Sequence, residues 1–161
     1  MCSSLSTDIL QIVDKELSRP RVDIACLQET QLTDSGTLRE ENYTFFWQGK
    51  PLEENCLHGI GFAVKNTLMA SIEPPSAGTE RILSLWLSTS SSPATILSVY
   101  APTLSAAPED KDQFYQALEE AISKIPRTDV LYCTFLATSM PEWGPTERPG
   151  FPASAPMVTG R

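Results

Sequence analysis

The sequence predicts an α/β fold, and three observations predict it. A helical apolar period over residues 7–18 runs almost directly into an apolar strand at 22–28. Further runs rich in strand formers follow at 43–47, 58–65, 81–87 and 95–100. A second amphipathic helix, opening at Pro108, then leads into a last apolar strand at 129–136. In 161 residues this makes one domain at most, with enough chain for a real core.

The first helix rests on Ile9, Ile12, Val13 and Leu17, which fall on one face at 3.6-residue spacing; Ser6 or Thr7 can cap its start and Pro20 ends it. In the strand that follows, Val22 to Gln28, five of seven residues are apolar, so it reads as covered on both faces. It stops abruptly at Gln28-Glu29-Thr30. Ligands and metals gather beyond the carboxyl ends of strands in layered α/β proteins, so Glu29 is placed to hold a cation; the plainer alternative is a solvated loop residue. A polar loop extends from there to about Asn42, and Tyr43-Thr44-Phe45-Phe46-Trp47 is the next strand. From His58 to Lys65 the sequence alternates, with Ile60, Phe62 and Val64 on one side. Gly59 and Gly61 thin the other side, where a backbone or a ligand can approach. Strands at 81–87 and 95–100 form a hairpin across the polar run 88–93. Pro108-Glu109-Asp110 opens the second helix, whose buried stripe is Phe114, Leu118, Ala121, Ile122 and Ile125, and Pro126 stops it.

Composition narrows the function. The net charge of −8 argues against holding nucleic acid by phosphate neutralisation alone, but leaves room for a metal whose charge substitutes. Cys2, Cys26, Cys56 and Cys133 are scattered without a C-x-x-C pair, and with a single histidine they make no zinc site; Cys26 and Cys133 read as core thiols. No membrane-length apolar stretch and no basic-then-apolar leader are present, which predicts an intracellular chain, nuclear or cytoplasmic.

Five blocks carry a resemblance: residues 23–30 (DIACLQET), 45–51 (FFWQGKP), 58–64 (HGIGFAV), 79–83 (TERIL) and 100–103 (YAPT). In this order they resemble the first half of the endonuclease/exonuclease/phosphatase fold, and within it the retrotransposon-derived endonuclease domains of craniofacial development protein 2-like proteins. The resemblance spans about residues 5–136 and implies a partial two-sheet β-sandwich with outer helices, a truncated form of that fold. It implies Mg2+-dependent hydrolysis of DNA phosphodiesters, with Glu29 as the metal carboxylate and Tyr100 as the catalytic tyrosine that orients the phosphate. Gln28 and Thr30 would support Glu29. DNA is the implied partner, weakened here by the acidic chain, and no membrane is implied. His58 matches no catalytic histidine of the family and is read as structural.

The departures are as informative. The family's first strand carries a metal-associated asparagine, whereas no asparagine precedes Asn42 here. After the strand at 129–136 the family has Gly-Asp-Phe-Asn, which positions water and phosphate; this chain has Ala137-Thr138-Ser139-Met140. The family's second half, with its Asp-His base pair, is not found. Residues 137–161 hold five prolines and three glycines without an apolar period, which predicts a disordered tail. Thr138 to Gly144 can be written in codons that, read one base earlier, give Asp-Phe-Asn-Ala-Arg-Val-Gly, which points to a frameshift. The chain is therefore expected to be a truncated, catalytically incompetent remnant, prone to self-association through exposed core. The alternatives are an active Mg2+-dependent nuclease using Glu29 and Tyr100, or a non-catalytic interaction module. A phosphatase acting on small substrates stands third.

Overall fold

The computed structural model describes residues 3–51, 58–75 and 78–136, with the backbone alone for 3–7 and 135–136. The expected disordered, frameshifted tail at 137–161 lies outside the described residues.

Helix α1 (Ser3–Ser18) begins at Ser3, so Ser6 and Thr7 lie inside it and are not its cap. Its buried face also differs from the one its apolar residues predict. Ile9 and Ile12 are 55% and 62% exposed, while Leu10, Val13 and Leu17 pack against the sheet beneath, with Asp14 among them at 3% exposure. The reason is chemical. Asp14 Oδ1 accepts the backbone N–H groups of Asn42 (3.1 Å) and Tyr43 (2.8 Å), and Oδ2 accepts Asn42 Nδ2 (2.7 Å). Tyr43 in turn donates its hydroxyl to the carbonyls of Leu17 and Val22. A buried carboxylate that satisfies three donors turns the helix about its axis.

The first sheet holds β1 (Ile24–Gln28), β2 (Ser35–Arg39), β3 (Tyr43–Gln48) and β4 (Ile60–Lys65), antiparallel in the order β1-β4-β3-β2. β1 is thus an edge strand, half-buried along its length, and not the fully covered strand that its apolar run predicts. It shows one face to α1 and one to the second sheet but pairs on one side only, which an apolar run cannot reveal. β2 occupies part of the stretch expected to be loop; Ser35-Gly36-Thr37-Leu38-Arg39 is held by pairing to β3, with no apolar run of its own. The glycines at and just before β4 are closely approached, as expected: a Cβ at Gly61 would run into the Phe46 carbonyl oxygen, and one at Gly59 into Thr30 Oγ1.

A 3-10 turn at Asn66–Ser71 leads to the second sheet, made of β5 (Ile72–Glu73), β6 (Gly78–Thr79), β7 (Ile82–Leu87), β8 (Ala94–Tyr100) and β9 (Val130–Leu136). Its order is β5-β7-β8-β9, with β6 also on β7. β7 and β8 are the expected antiparallel hairpin; β8 and β9 are parallel, joined through α2 (Pro108–Ser123). Proline in the first turn with Glu109 and Asp110 suits the helix dipole.

The two sheets pack face to face. Phe46, Ile60, Phe62 and Val64 of the first meet Ile72, Leu83, Leu85 and Tyr100 of the second, with Ile24 and Cys26 at the margin. α2 covers the outer face of the second sheet through Phe114 and Leu118 on Ile82, Leu97, Val99, Leu131 and Cys133, with Ala121, Ile122 and Ile125 beside them. The result is four layers, helix on sheet on sheet on helix, as a partial sandwich requires. No helix among the described residues is long and apolar enough to cross a membrane.

Candidate functional site

The carboxyl ends of β1 and β8 meet at one rim of the sandwich. The side chains there bond from sheet to sheet: Gln28 Nε2 donates to Ser98 Oγ (3.3 Å), and the Tyr100 hydroxyl donates to Glu29 Oε1 (2.6 Å). The two residues singled out from sequence, 71 positions apart in the chain, are thus in direct contact. A short O–H···O bond to a carboxylate is among the stronger hydrogen bonds of a protein.

Glu29 leaves β1 in the left-handed region, φ 53°, and Gln31 and Asp34 follow it there at 54° and 55°. Three such non-glycine residues in six positions mark an irregular turn off the strand end, and the Glu29 carboxylate meets the Tyr100 hydroxyl there. Thr30 closes the turn by donating its backbone N–H to Gly59 O (3.1 Å), while Thr30 Oγ1 is buried with no hydrogen-bond partner among the described residues. Gln28 and Thr30, expected to support Glu29, flank it and bond elsewhere: Gln28 to Ser98 of β8, and the Thr30 N–H to Gly59, just before β4.

Two residues join the pair that the sequence does not mark. Arg81 Nη2 lies 3.2 Å from His58 Nε2, Nη1 donates to Tyr100 O (3.4 Å), and the guanidinium carbon sits 5.4 Å over the Tyr100 ring. The His58 and Tyr100 ring centroids are 5.7 Å apart. His58, read from sequence as structural, therefore stands against the site tyrosine. Position 58 carries the sole histidine and Arg81 sits within a resembling block, but neither residue type nor spacing says that the packing of the two sheets will bring them together.

Charge follows the geometry. The hydrogen bond to Glu29, then burial, raises the Tyr100 phenol above its ordinary value, and the Arg81 cation pulls it partly back. Burial, then Arg81 and Lys50, pushes the His58 imidazole below its ordinary value, against the pull of Glu80 and Glu29. Both described cysteines are free thiols raised by burial, Cys133 to about 12, so neither is a nucleophile at neutral pH.

Magnesium takes hard oxygen ligands, commonly one or two carboxylates with several waters. Among the described residues no group of three or more histidines, cysteines, aspartates or glutamates could hold a metal ion. At the rim the Glu29 carboxylate offers one hard oxygen ligand and would hold a magnesium ion with waters completing its shell, where the ion would polarise a phosphate.

No family model matches the chain. Over 130 residues it is 25% identical to craniofacial development protein 2 of Tragulus javanicus, and equally to that of Bos taurus; each match covers 80% of this chain and 22% of the relative. The chain thus spans under a quarter of the length of the curated relatives it matches, and its resemblance to craniofacial development protein 2 is distant.

Proposed function

We propose that this chain is a nuclease-like domain that does not turn over phosphodiesters on its own. The observation that carries this is the rim itself: Tyr100 is bonded to Glu29 at 2.6 Å, and the pair in contact there supplies one carboxylate and one phenol. Phosphodiester hydrolysis needs an oriented water and charge stabilisation at phosphorus as well as a cation ligand. By the resemblance those tasks fall partly to the stretch after β9, where this chain has Ala137-Thr138-Ser139-Met140 in place of Gly-Asp-Phe-Asn. Groups that act as a unit fail together, so a lone carboxylate leaves little. The net charge of −8 adds repulsion toward DNA. In a supercoiled-plasmid nicking assay with Mg2+, the protein is expected to cut no faster than Glu29→Ala. Mg2+-dependent nicking that disappears in that variant would instead establish an active nuclease using Glu29 and Tyr100.

A second reading, an interaction module, is favoured by β9. Leu131 and Cys133 face α2, so by strand alternation Val130 and Tyr132 point to the other side of the sheet, where they are 39% and 41% exposed on an edge strand. Self-association through this strand is expected, and sedimentation should show it weakened in Tyr132→Lys. A monodisperse monomer at high concentration would dispose of it.

A further inference from the structure

We infer that Arg81 and His58 form a clamp that positions Tyr100 and, through its hydroxyl, the Glu29 carboxylate. The inference rests on Glu29 and Tyr100 being the working pair of this fold, whether or not the chain turns over.

Arg81 holds Tyr100 in three ways. Its carbonyl accepts the Tyr100 backbone N–H (2.7 Å), its Nη1 donates to the Tyr100 carbonyl, and its guanidinium lies over the ring. Backbone position and ring plane are therefore set by one residue. His58 fixes the guanidinium in turn. An arginine has donors and no acceptor, so at the 3.2 Å contact His58 Nε2 must accept. That makes the imidazole neutral, with its proton on Nδ1, an atom that is buried and has no hydrogen-bond partner among the described residues. Protonated, His58 would turn a second N–H against the guanidinium and add a like charge beside it.

The pH dependence follows. The charged and titratable groups acting on His58 are Arg81 and Lys50, which disfavour the imidazolium, and Glu80 and Glu29, which favour it, with the Tyr100 ring alongside. Since the folded value lies below the ordinary one near 6.5, the unfolded chain takes up this proton first on acidification. The contact is present in full above about pH 6.5 and is lost as pH falls through the lower folded value.

The test reads the Tyr100 hydroxyl proton by NMR, without metal or DNA, so nicking by the wild type would leave it unaffected. Held on Glu29, that proton should give a downfield resonance that is missing in Tyr100→Phe. In Arg81→Met its exchange with water should quicken about tenfold, the effect of weakening one modest hydrogen bond. Arg81→Lys keeps the charge but not the fork, and should behave the same way if Arg81→Met fails to fold. His58→Ala should do likewise, and His58→Gln, whose amide oxygen can accept from Arg81, should restore slow exchange. A merely structural histidine predicts no such rescue. Slow exchange retained in Arg81→Lys and His58→Ala, or no downfield resonance in the wild type, overturns the clamp.

Discussion

Phe62→Ala is expected to cost about 4 kcal/mol. Phe62 is fully buried in the middle of β4, opposite Cys26 of β1 and Phe46 of β3. Its ring belongs to the cluster in which the two sheets meet, with Leu83, Leu85 and Tyr100 contributed by the facing sheet. Removing it loses the transfer energy of the ring and leaves a cavity between two pleated surfaces that cannot both move inward. Urea denaturation should show the midpoint fall with an unchanged slope. A loss below about 1 kcal/mol would mean that the sheets are not packed as described. Because Tyr100 shares this cluster, the same variant should also loosen the hydroxyl bond to Glu29, which ties the strength of the core to the order of the rim.

Asp14→Ala is expected to cost about 3 kcal/mol. The carboxylate is buried between α1 and the first sheet and accepts from two backbone N–H groups and one side-chain amide. Alanine leaves those donors facing a methyl group, and a buried donor without a partner costs more than its bond contributed. Asp14→Asn keeps one acceptor but turns an amide N–H2 toward Asn42, so an intermediate loss is expected. Thermal melting should fall by roughly 6–12 °C for the alanine variant at this chain length. An unchanged melting temperature would show that α1 is held by its apolar contacts alone.

These two positions mark what the sequence discloses and what it hides. Phe62 was legible, because the alternation Ile60, Phe62, Val64 is a strand period with its buried side plain. Asp14 was not. An apolar count assigns the inner face of α1 to Ile9, Ile12, Val13 and Leu17. The last two do pack inward, but three donors on the Asn42–Tyr43 turn draw a carboxylate in where the isoleucines were expected, and those donors lie 28 and 29 residues away. β2 was hidden for a related reason: its order comes from pairing with β3, which leaves no local signature in Ser35-Gly36-Thr37-Leu38-Arg39. At the rim, Glu29 and Tyr100 were legible as strand-end residues within resembling blocks, and the structure puts them in contact. Arg81 and His58 were not, since their contact depends on where β4 and β7 fall in two different sheets.

The left-handed turn at Glu29 has a consequence for how this chain can drift. At φ 53° a glutamate pays a steric penalty of about 1 kcal/mol that glycine does not incur and asparagine or aspartate incurs less. Backbone sterics at this position therefore favour replacement, while the bond from the Tyr100 hydroxyl opposes it. In a lineage no longer selected for the carboxylate, relief of backbone strain and loss of the Tyr100 bond largely offset at position 29, whereas truncation at the buried Phe62 or Asp14 has no such offset. Variation at 29 set against constancy at 62 and 14 would register loss of chemistry in a chain that still folds.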